Sequence, residues 1–148
     1  RRFENKYLSP KLRIIDDYGH HPTEVAATLQ TARSLNPERL VVVFQPHRYS
    51  RTQKLANDFG IALQAADRVF VTDIYPASEL PIEGVTAQTI VDAVKANGDT
   101  RAEVVGPIKN GHHAVGSGPR NDLIENRKRK GGGIANVAMD AWEFRFQH

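Results

Sequence analysis

The sequence predicts an α/β fold, Rossmann-like, in which a mostly parallel sheet carries helices on both faces. Strand-like and helix-like segments alternate four times along the first two thirds of the chain, which is the order expected of βα units. Residues 39–44 (RLVVVF) and 68–72 (RVFVT) are nearly continuous apolar runs, typical of parallel strands buried on both faces. Polar clusters follow the strands, as expected where such a sheet binds a ligand.

The first βα unit is predicted from residues 12–17 (LRIIDD), a short apolar strand that ends in charge. A helix then begins near Pro22, because proline suits the first helical position and an acidic residue follows in the first turn. Apolar residues recur at helical spacing down to Leu35, and Asn36 and Pro37 end the helix.

The later units are predicted in the same way. Residues 50–53 (SRTQ) fit a capping box at the start of the second helix. A loop covers residues 73–84, and a third helix runs from Thr86 to about Asn97, with Gly98 as its C′ residue. Residues 102–105 (AEVV) form a fourth and weaker strand.

Length and charge divide the chain into two parts. We expect residues 1–106 to form the domain core and residues 107–148 to form a basic, glycine-rich tail that completes the sheet or is disordered. A short strand or helix falls near IANVAMDAWEFRF. The net charge of +3 comes from the last third of the chain, so it says little about what the domain binds.

Composition excludes several classes of site. The chain has no cysteine, which removes disulfides and thiol chemistry and fits a cytoplasmic protein. No apolar run approaches the roughly 18–20 residues of a membrane span. The basic run at residues 127–130 (RKRK) has no aromatic platform beside it, so we expect a solvated segment and no nucleic-acid partner. The chain lacks a starting methionine and reads as a piece of a longer protein.

Three polar clusters follow the first three predicted strands, and parallel strands would bring them to one edge of the sheet. They are residues 16–21, 47–51 and 73–79. Arg48 and Arg51 stand where a helix begins, and an anion bound there would satisfy both the arginines and the backbone N–H groups. The alternative is that these arginines lie in solvent or pair with Asp73 or Glu79.

Asp16 and Asp17 leave several interpretations open. A carboxylate at the end of a strand can bind a ribose, hold Mg²⁺ or accept a phosphoryl group, or it can simply cap the following turn. His20 and His21 are adjacent and point apart, so they do not share a metal, and we predict no metal site. There is no P-loop and no GxGxxG motif, so any nucleotide would be gripped mainly by another domain.

The segments DDYGHHPTEV, FQPHRYSRT and DIYPASELPIEGV, in this order and spacing, resemble the C-terminal domain of the Mur ligases. RRFE at the start is similar to the family's junction with its central ATPase domain, and the resemblance covers roughly residues 1–98. The Tyr-Gly-His-His form resembles UDP-N-acetylmuramate–L-alanine ligases more than other members. The family's closing βα unit has no recognisable counterpart in residues 100–148.

The resemblance implies an ATP-dependent ligase of peptidoglycan synthesis, in which L-alanine attacks an acyl phosphate of UDP-N-acetylmuramate. It implies that ATP and Mg²⁺ are held mainly by a central domain that this chain lacks, with Arg2 and Asp17 facing the nucleotide. Catalytic roles fall on His20, Arg48 and Arg51. The matching positions that line the cleft around the acyl group and the amino acid are Tyr18, His20, His47, Arg48 and Arg51.

The implied partners are the N-terminal and central domains of the same ligase. The isolated chain is therefore expected to be inactive and to bind nucleotide weakly, because domain closure assembles such sites. Two alternatives remain: the tripeptide-recycling Mur ligase, and, from another class, a phosphoacceptor receiver or binding module with Asp73 after its third strand.

Overall fold

The structure, a computed structural model, describes residues 3–106, 134–135 and 143–147. Its strands are β1 (Glu4–Leu8), β2 (Arg13–Asp17), β3 (Val41–Phe44), β4 (Arg68–Val71), β5 (Arg101–Val104), β6 (Ile134–Ala135) and β7 (Glu143–Gln147). Its helices are α1 (Pro22–Arg33), α2 (Tyr49–Ala62), which continues as a 3₁₀ turn (Leu63–Ala65), and α3 (Ala87–Asn97). No helix in these described segments is long and apolar enough to cross a membrane.

All of these strands belong to one sheet, in the order β1-β2-β7-β3-β4-β5. The strands from β2 to β5 along this order pair in parallel, whereas β1 is antiparallel to β2 and β6 is antiparallel to β7. The predicted α/β fold with a mostly parallel sheet is therefore confirmed. Helices α1, α2 and α3 connect successive parallel strands, as expected because parallel strands need crossover connections.

Strand β7 lies in the middle of the sheet, although it is the last element along the described part of the chain. Phe144 is in register with Ile15 of β2 on one side and with Val42 of β3 on the other. Both β6 and β7 come from the segment near IANVAMDAWEFRF, for which the sequence leaves strand and helix open. The remainder of residues 107–148 lies outside the described part of the chain.

The described helices form one layer, because α1 packs against α2 and α2 packs against α3. Alternate strand residues face this layer, and their side chains join the helical ones in a single core. Phe44 of β3 and Phe59 of α2 meet there with ring centroids 5.0 Å apart. The fully buried aliphatic members of this core are Ile15, Val25, Leu29, Leu40, Val42, Leu63, Val69, Val71, Ile90 and Val94. All three described helices cover one face of the sheet, so helices on the opposite face stay a prediction.

Helix α1 begins as predicted. Pro22 occupies the first helical position, and the imidazole of His21 accepts a hydrogen bond from the backbone N–H of Thr23. The carboxylate of Glu24 reaches back to the backbone N–H groups of His20 and His21, at 3.1 and 3.2 Å. The crowded turn after β2 is thus in part a capping box, which satisfies N–H groups that have no partner within the helix.

The predicted capping box at the start of α2 is wrong. The helix begins at Tyr49, and its cap residue, Arg48, makes no side-chain hydrogen bond to the helix backbone. Ser50 lies inside the first turn, and its hydroxyl group donates to Glu79 from the loop after β4. The carboxylate of Glu79, which is distant in sequence, therefore accepts a backbone N–H of the first turn, as the side chain of a local cap residue would.

Two glycines let α2 and α3 approach each other closely. A Cβ atom on Gly60 would lie 2.5 Å from the carbonyl oxygen of Ala93. Gly98 follows α3 as predicted, but its φ of 163° is extended rather than left-handed. It is small for a different reason, since a Cβ atom there would lie 2.4 Å from the side-chain oxygen of Gln64.

Candidate functional site

Four rings form a row along the carboxyl edge of the sheet, and we call it the ring row: Tyr18, His20, His47 and Tyr75. Tyr18 meets His20 edge-on at 5.4 Å between centroids, and His20 lies 6.3 Å from His47. His47 stacks on Tyr75 at 5.3 Å with 20° between the ring planes. The row crosses the loops that follow β2, β3 and β4, as expected where parallel strands end. Tyr18 is 46% exposed and Tyr75 is 39% exposed, so the row faces solvent.

The loops after β3 and β4 are joined by main-chain hydrogen bonds. The N–H of Tyr75 donates to the carbonyl of Pro46, and the N–H of Arg48 donates to the carbonyl of Tyr75, both at 2.8 Å. The side-chain amide of Gln45 also donates to the carbonyl of Asp73 at 3.2 Å. These bonds extend the parallel pairing of β3 and β4 by one more bridge. The two loops therefore hold their side chains as one unit.

Arg48 and Arg51 lie at the start of α2, as predicted, and they have different partners. The guanidinium of Arg48 lies 3.7 Å from the carboxylate of Glu79. The guanidinium of Arg51 lies 3.3 Å from Nδ1 of His47. Pairing with Glu79, which the sequence offered as an alternative, is therefore confirmed for Arg48. The carboxylate also accepts from the backbone N–H and the hydroxyl of Ser50, and these bonds, with the nearby Arg48 charge, lower the pKa of Glu79.

The hydrogen bonds of the two central imidazoles fix opposite proton positions. A guanidinium only donates, so Nδ1 of His47 accepts from Arg51 and its proton resides on Nε2. A carbonyl only accepts, so Nδ1 of His20 donates to the carbonyl of Tyr18, at 3.2 Å. Burial lowers the pKa of His47, and the positive charges of Arg51 and Arg48 lower it further. At neutral pH His47 is thus a neutral hydrogen-bond donor through Nε2.

The two aspartates at the end of β2 are buried, and the structure favours a turn-capping role for Asp17. Its carboxylate accepts from the backbone N–H of Phe3 at 2.8 Å and of Gly19 at 2.7 Å, and the residue is only 2% exposed. Asp16 lies 3.6 Å from the ammonium group of Lys6 on β1. Asp17 thus ties β1 to the turn after β2, and in this conformation its carboxylate faces backbone rather than the ring row.

The carboxyl edge suits an anion better than a metal ion. Two guanidinium groups and a neutral imidazole donor lie together there. Across residues 3–106, no group of three or more acidic or histidine side chains is placed to hold a metal ion. The predicted nucleotide contact Arg2 lies outside the described residues.

Comparison with known proteins decides the family. The family described as "Mur ligase, glutamate ligase domain" matches residues 1–124 of this chain. The chain belongs to the Mur ligase family. The match includes the whole ring row and both arginines of this Mur ligase domain.

Individual relatives within this family share one name. The UDP-N-acetylmuramate–L-alanine ligase of Syntrophus aciditrophicus is 54% identical over 104 residues, which is 70% of this chain and 21% of the relative. The ligase of the same name from Solibacter usitatus is 44% identical over 125 residues, or 84% of this chain and 26% of the relative. The crystal structure of UDP-N-acetylmuramate–alanine ligase from Thermotoga maritima is 35% identical, with a TM-score of 0.55, over 72% of this chain and 21% of that one.

The Mur ligase domain described here spans about a fifth to a quarter of the length of these relatives. Sequence reasoning missed one member of its carboxyl edge. This is Tyr75, whose position in the loop after a buried strand is a signal for an exposed aromatic platform. The sequence leaves the capping role of Asp17 as one of several open interpretations, because its partner Phe3 lies 14 positions away, directly before β1.

Proposed function

We propose that this chain is the C-terminal domain of an ATP-dependent ligase that joins L-alanine to UDP-N-acetylmuramate in peptidoglycan synthesis. The observation that carries this proposal is the family match over residues 1–124, which contains the whole cluster of the carboxyl edge. The relatives compared above carry the name of that ligase. Residues 1–106 would form the core of the domain, with β7 completing the sheet.

The arginines are suited to binding and orienting anions. Arg48 is the cap residue of α2 and Arg51 lies in its first turn, where the helix dipole and the arginine charges act in the same direction on an anion. In the proposed reaction they would orient the carboxylate of L-alanine and the leaving phosphate, and would stabilise negative charge as it develops on the acyl oxygen. Tyr18 would line the cleft beside them.

The opposite proton positions of the two imidazoles suggest a division of labour. His47 offers an N–H at Nε2, so it would donate a hydrogen bond to the acyl oxygen as that atom becomes negative. His20 donates through Nδ1, which leaves Nε2 as the acceptor when the ring is neutral. It would take the proton that the amine of L-alanine loses as the new amide bond forms.

ATP, when bound, supplies the phosphoryl group that activates the muramyl carboxylate. Among the described residues no group of three or more acidic or histidine side chains is placed to hold a metal ion, and Asp17 is bonded to backbone, so no step is assigned to a nucleotide on this chain. Holding ATP and Mg²⁺ would fall mainly to the central domain, which together with the N-terminal domain is the proposed partner. Arg2 and Asp17 as nucleotide contacts remain predictions, as does the cytoplasm as the location of a ligase that uses such nucleotides.

The proposal is tested with a chimaera in which this chain replaces the matching segment of the Syntrophus aciditrophicus relative. Phosphate release is followed with ATP, Mg²⁺, UDP-N-acetylmuramate and L-alanine, and circular dichroism confirms folding. We expect release that requires L-alanine. A folded chimaera that releases no phosphate with L-alanine would contradict the proposal, and release with a tripeptide instead would favour the recycling ligase.

A further inference from the structure

Glu79 makes the contacts that connect the loop after β4 to the start of α2. Its two carboxylate oxygens accept from the Ser50 backbone N–H at 3.0 Å and from the Ser50 hydroxyl at 2.7 Å. The oxygen that binds the hydroxyl also lies 3.7 Å from the guanidinium of Arg48. The place that the sequence predicts for a bound anion, at the start of this helix, is thus occupied by a carboxylate of the chain itself.

The backbone on both sides of this contact is held in an unusual conformation. Arg48 has a φ of 72°, and Ala77 and Ser78, directly before Glu79, have φ values of 48° and 69°. Only two other non-glycine residues in the described part of the chain have positive φ. Such conformations are unfavourable for residues that carry a side chain, and they persist where the surrounding structure imposes them. Here the imposed arrangement brings the carboxylate of Glu79 onto the first turn of α2.

We propose that Glu79 is a positioning residue, which holds the Arg48 side chain and the first turn of α2 in the geometry that the proposed ligase reaction needs. An arginine side chain on a solvent-facing edge samples many rotamers, and ordering it costs entropy when a substrate binds. A fixed carboxylate on one side of the guanidinium reduces that cost and directs its remaining N–H groups toward the cleft. This role rests on the proposed function.

A purely structural role for Glu79 predicts a different result. If Glu79 only capped α2, its loss would lower stability, and its effect on catalysis would add to that of losing Arg48. If Glu79 acts through Arg48, its loss has no further effect on catalysis once Arg48 is gone. The two cases are separated by a double-mutant cycle, since residues in contact couple and independent ones add.

The experiment measures kcat and KM for L-alanine in the chimaera with Glu79→Gln, Arg48→Ala and both together. Glu83→Gln is the matched control, because Glu83 is exposed on the same loop. We expect Glu79→Gln to lower kcat/KM about tenfold and Arg48→Ala about 100-fold, as for the loss of one charged donor to the reacting groups. The double variant should fall about 100-fold, in the same parameter as Arg48→Ala, and Glu83→Gln should match the wild type.

Two results would overturn the positioning role alone: an active chimaera in which Glu79→Gln equals the wild type, or a double variant about 1,000-fold weaker, as independent effects would give. A folded wild-type chimaera without activity would instead overturn the proposed function, and the positioning role with it. In the isolated chain, faster exchange of the Ser50 amide hydrogen in Glu79→Gln than in Glu83→Gln tests the contact itself. Equal exchange in both variants would contradict it.

Discussion

Each edge of the sheet carries an arginine beside a carboxylate, and the two pairs are built differently. At the amino edge, Arg33 lies 2.8 Å from Asp67 and donates to the carbonyl of Ala65 at 2.6 Å, while Asp67 also accepts from the N–H of Leu40. At the carboxyl edge, Arg48 lies 3.7 Å from Glu79 and has no side-chain hydrogen bond to the helix it begins. Both carboxylates accept from a backbone N–H group, but Arg33 also donates to backbone, whereas the Arg48 side chain is about half exposed.

A depression of about 380 Å³ lies beside the amino-edge pair, so concavity alone would suggest a site there. Four of the polar side chains that line it, those of Arg33, Gln64, Asp67 and Thr100, are already bonded to backbone. Thr100 donates to the carbonyls of Gln64 and Ala66, and the side-chain amide of Gln64 donates to those of Gly60 and Val94. Polar groups that are satisfied within the chain offer little to a ligand. We therefore identify the candidate site from the partly exposed arginine donors of the carboxyl edge rather than from the shape of the surface.

Among the variants that distinguish the two edges, we expect the largest loss of activity from Arg51→Ala. The change removes a cation and also the donor that fixes the proton of His47 on Nε2. We expect kcat/KM of the chimaera to fall by about 1,000-fold, at the upper end for one lost transition-state donor. Arg51→Lys, which keeps the charge, should recover part of the loss. Equal activity of Arg51→Ala and wild type would contradict the claim that the reaction takes place at the carboxyl edge.

The next effect is on stability and concerns Asp17. This residue lies at the carboxyl edge, but its carboxylate is bonded to backbone, as that of Asp67 is at the amino edge. Asp17→Ala leaves the backbone N–H groups of Phe3 and Gly19 without their acceptor. We expect the free energy of unfolding to fall by about 3 kcal/mol in urea denaturation. Asp73→Ala, at an exposed carboxylate of the same edge, is the control. If Asp17→Ala left stability unchanged and abolished nucleotide binding, Asp17 would be a nucleotide contact rather than a structural residue.

Arg33→Ala tests the amino edge itself. Losing the bonds to Asp67 and Ala65 should lower the free energy of unfolding by about 1–2 kcal/mol, a modest cost because both side chains are partly exposed. The exposed Arg101→Ala serves as the control for loss of one positive charge. A loss smaller than that of the control would mean that the amino-edge network is not structural.

The smallest expected effect is on the titration of His47, measured by NMR. Burial lowers the pKa of His47, as do Arg51, Arg48 and His20, while Glu79 raises it. Arg51→Gln should therefore move this pKa upward and Glu79→Gln should move it downward. The pKa of His47 is lower in the folded chain than in the unfolded chain, so the unfolded chain binds the proton more tightly. The free energy of unfolding therefore decreases as the pH falls below about 6.5. Shifts of the same sign in both variants would contradict the arrangement.

Much of the sheet was predictable because local sequence decides it. The apolar runs at β3 and β4 are buried strands, and the Pro22 start of α1 agrees with its cap. Strand β7 was not predictable in this way, since EFRFQ alternates charge with aromatic residues and pairs with strands about 100 or more positions away in the chain. The start of α2 was misplaced for a similar reason, because Glu79 replaces the local cap.

The candidate site was predictable as a set of residues more than as a geometry. The motifs place Tyr18, His20, His47, Arg48 and Arg51 at one edge, and the structure brings them together there. Hydrogen-bond partners are a different matter, because they depend on contacts between loops that are distant in sequence. The proton positions on the two imidazoles and the backbone bonds of Asp17 follow only from those contacts.

The most direct test compares the two edge arginines in one assay. L-alanine-dependent phosphate release is measured for the folded chimaera as wild type, Arg48→Ala and Arg33→Ala, at a temperature where all three are folded. We predict that Arg48→Ala loses about 100-fold in kcat/KM while Arg33→Ala retains wild-type values. Equal losses in the two variants, or a larger loss in Arg33→Ala, would contradict the assignment of the reaction to the carboxyl edge.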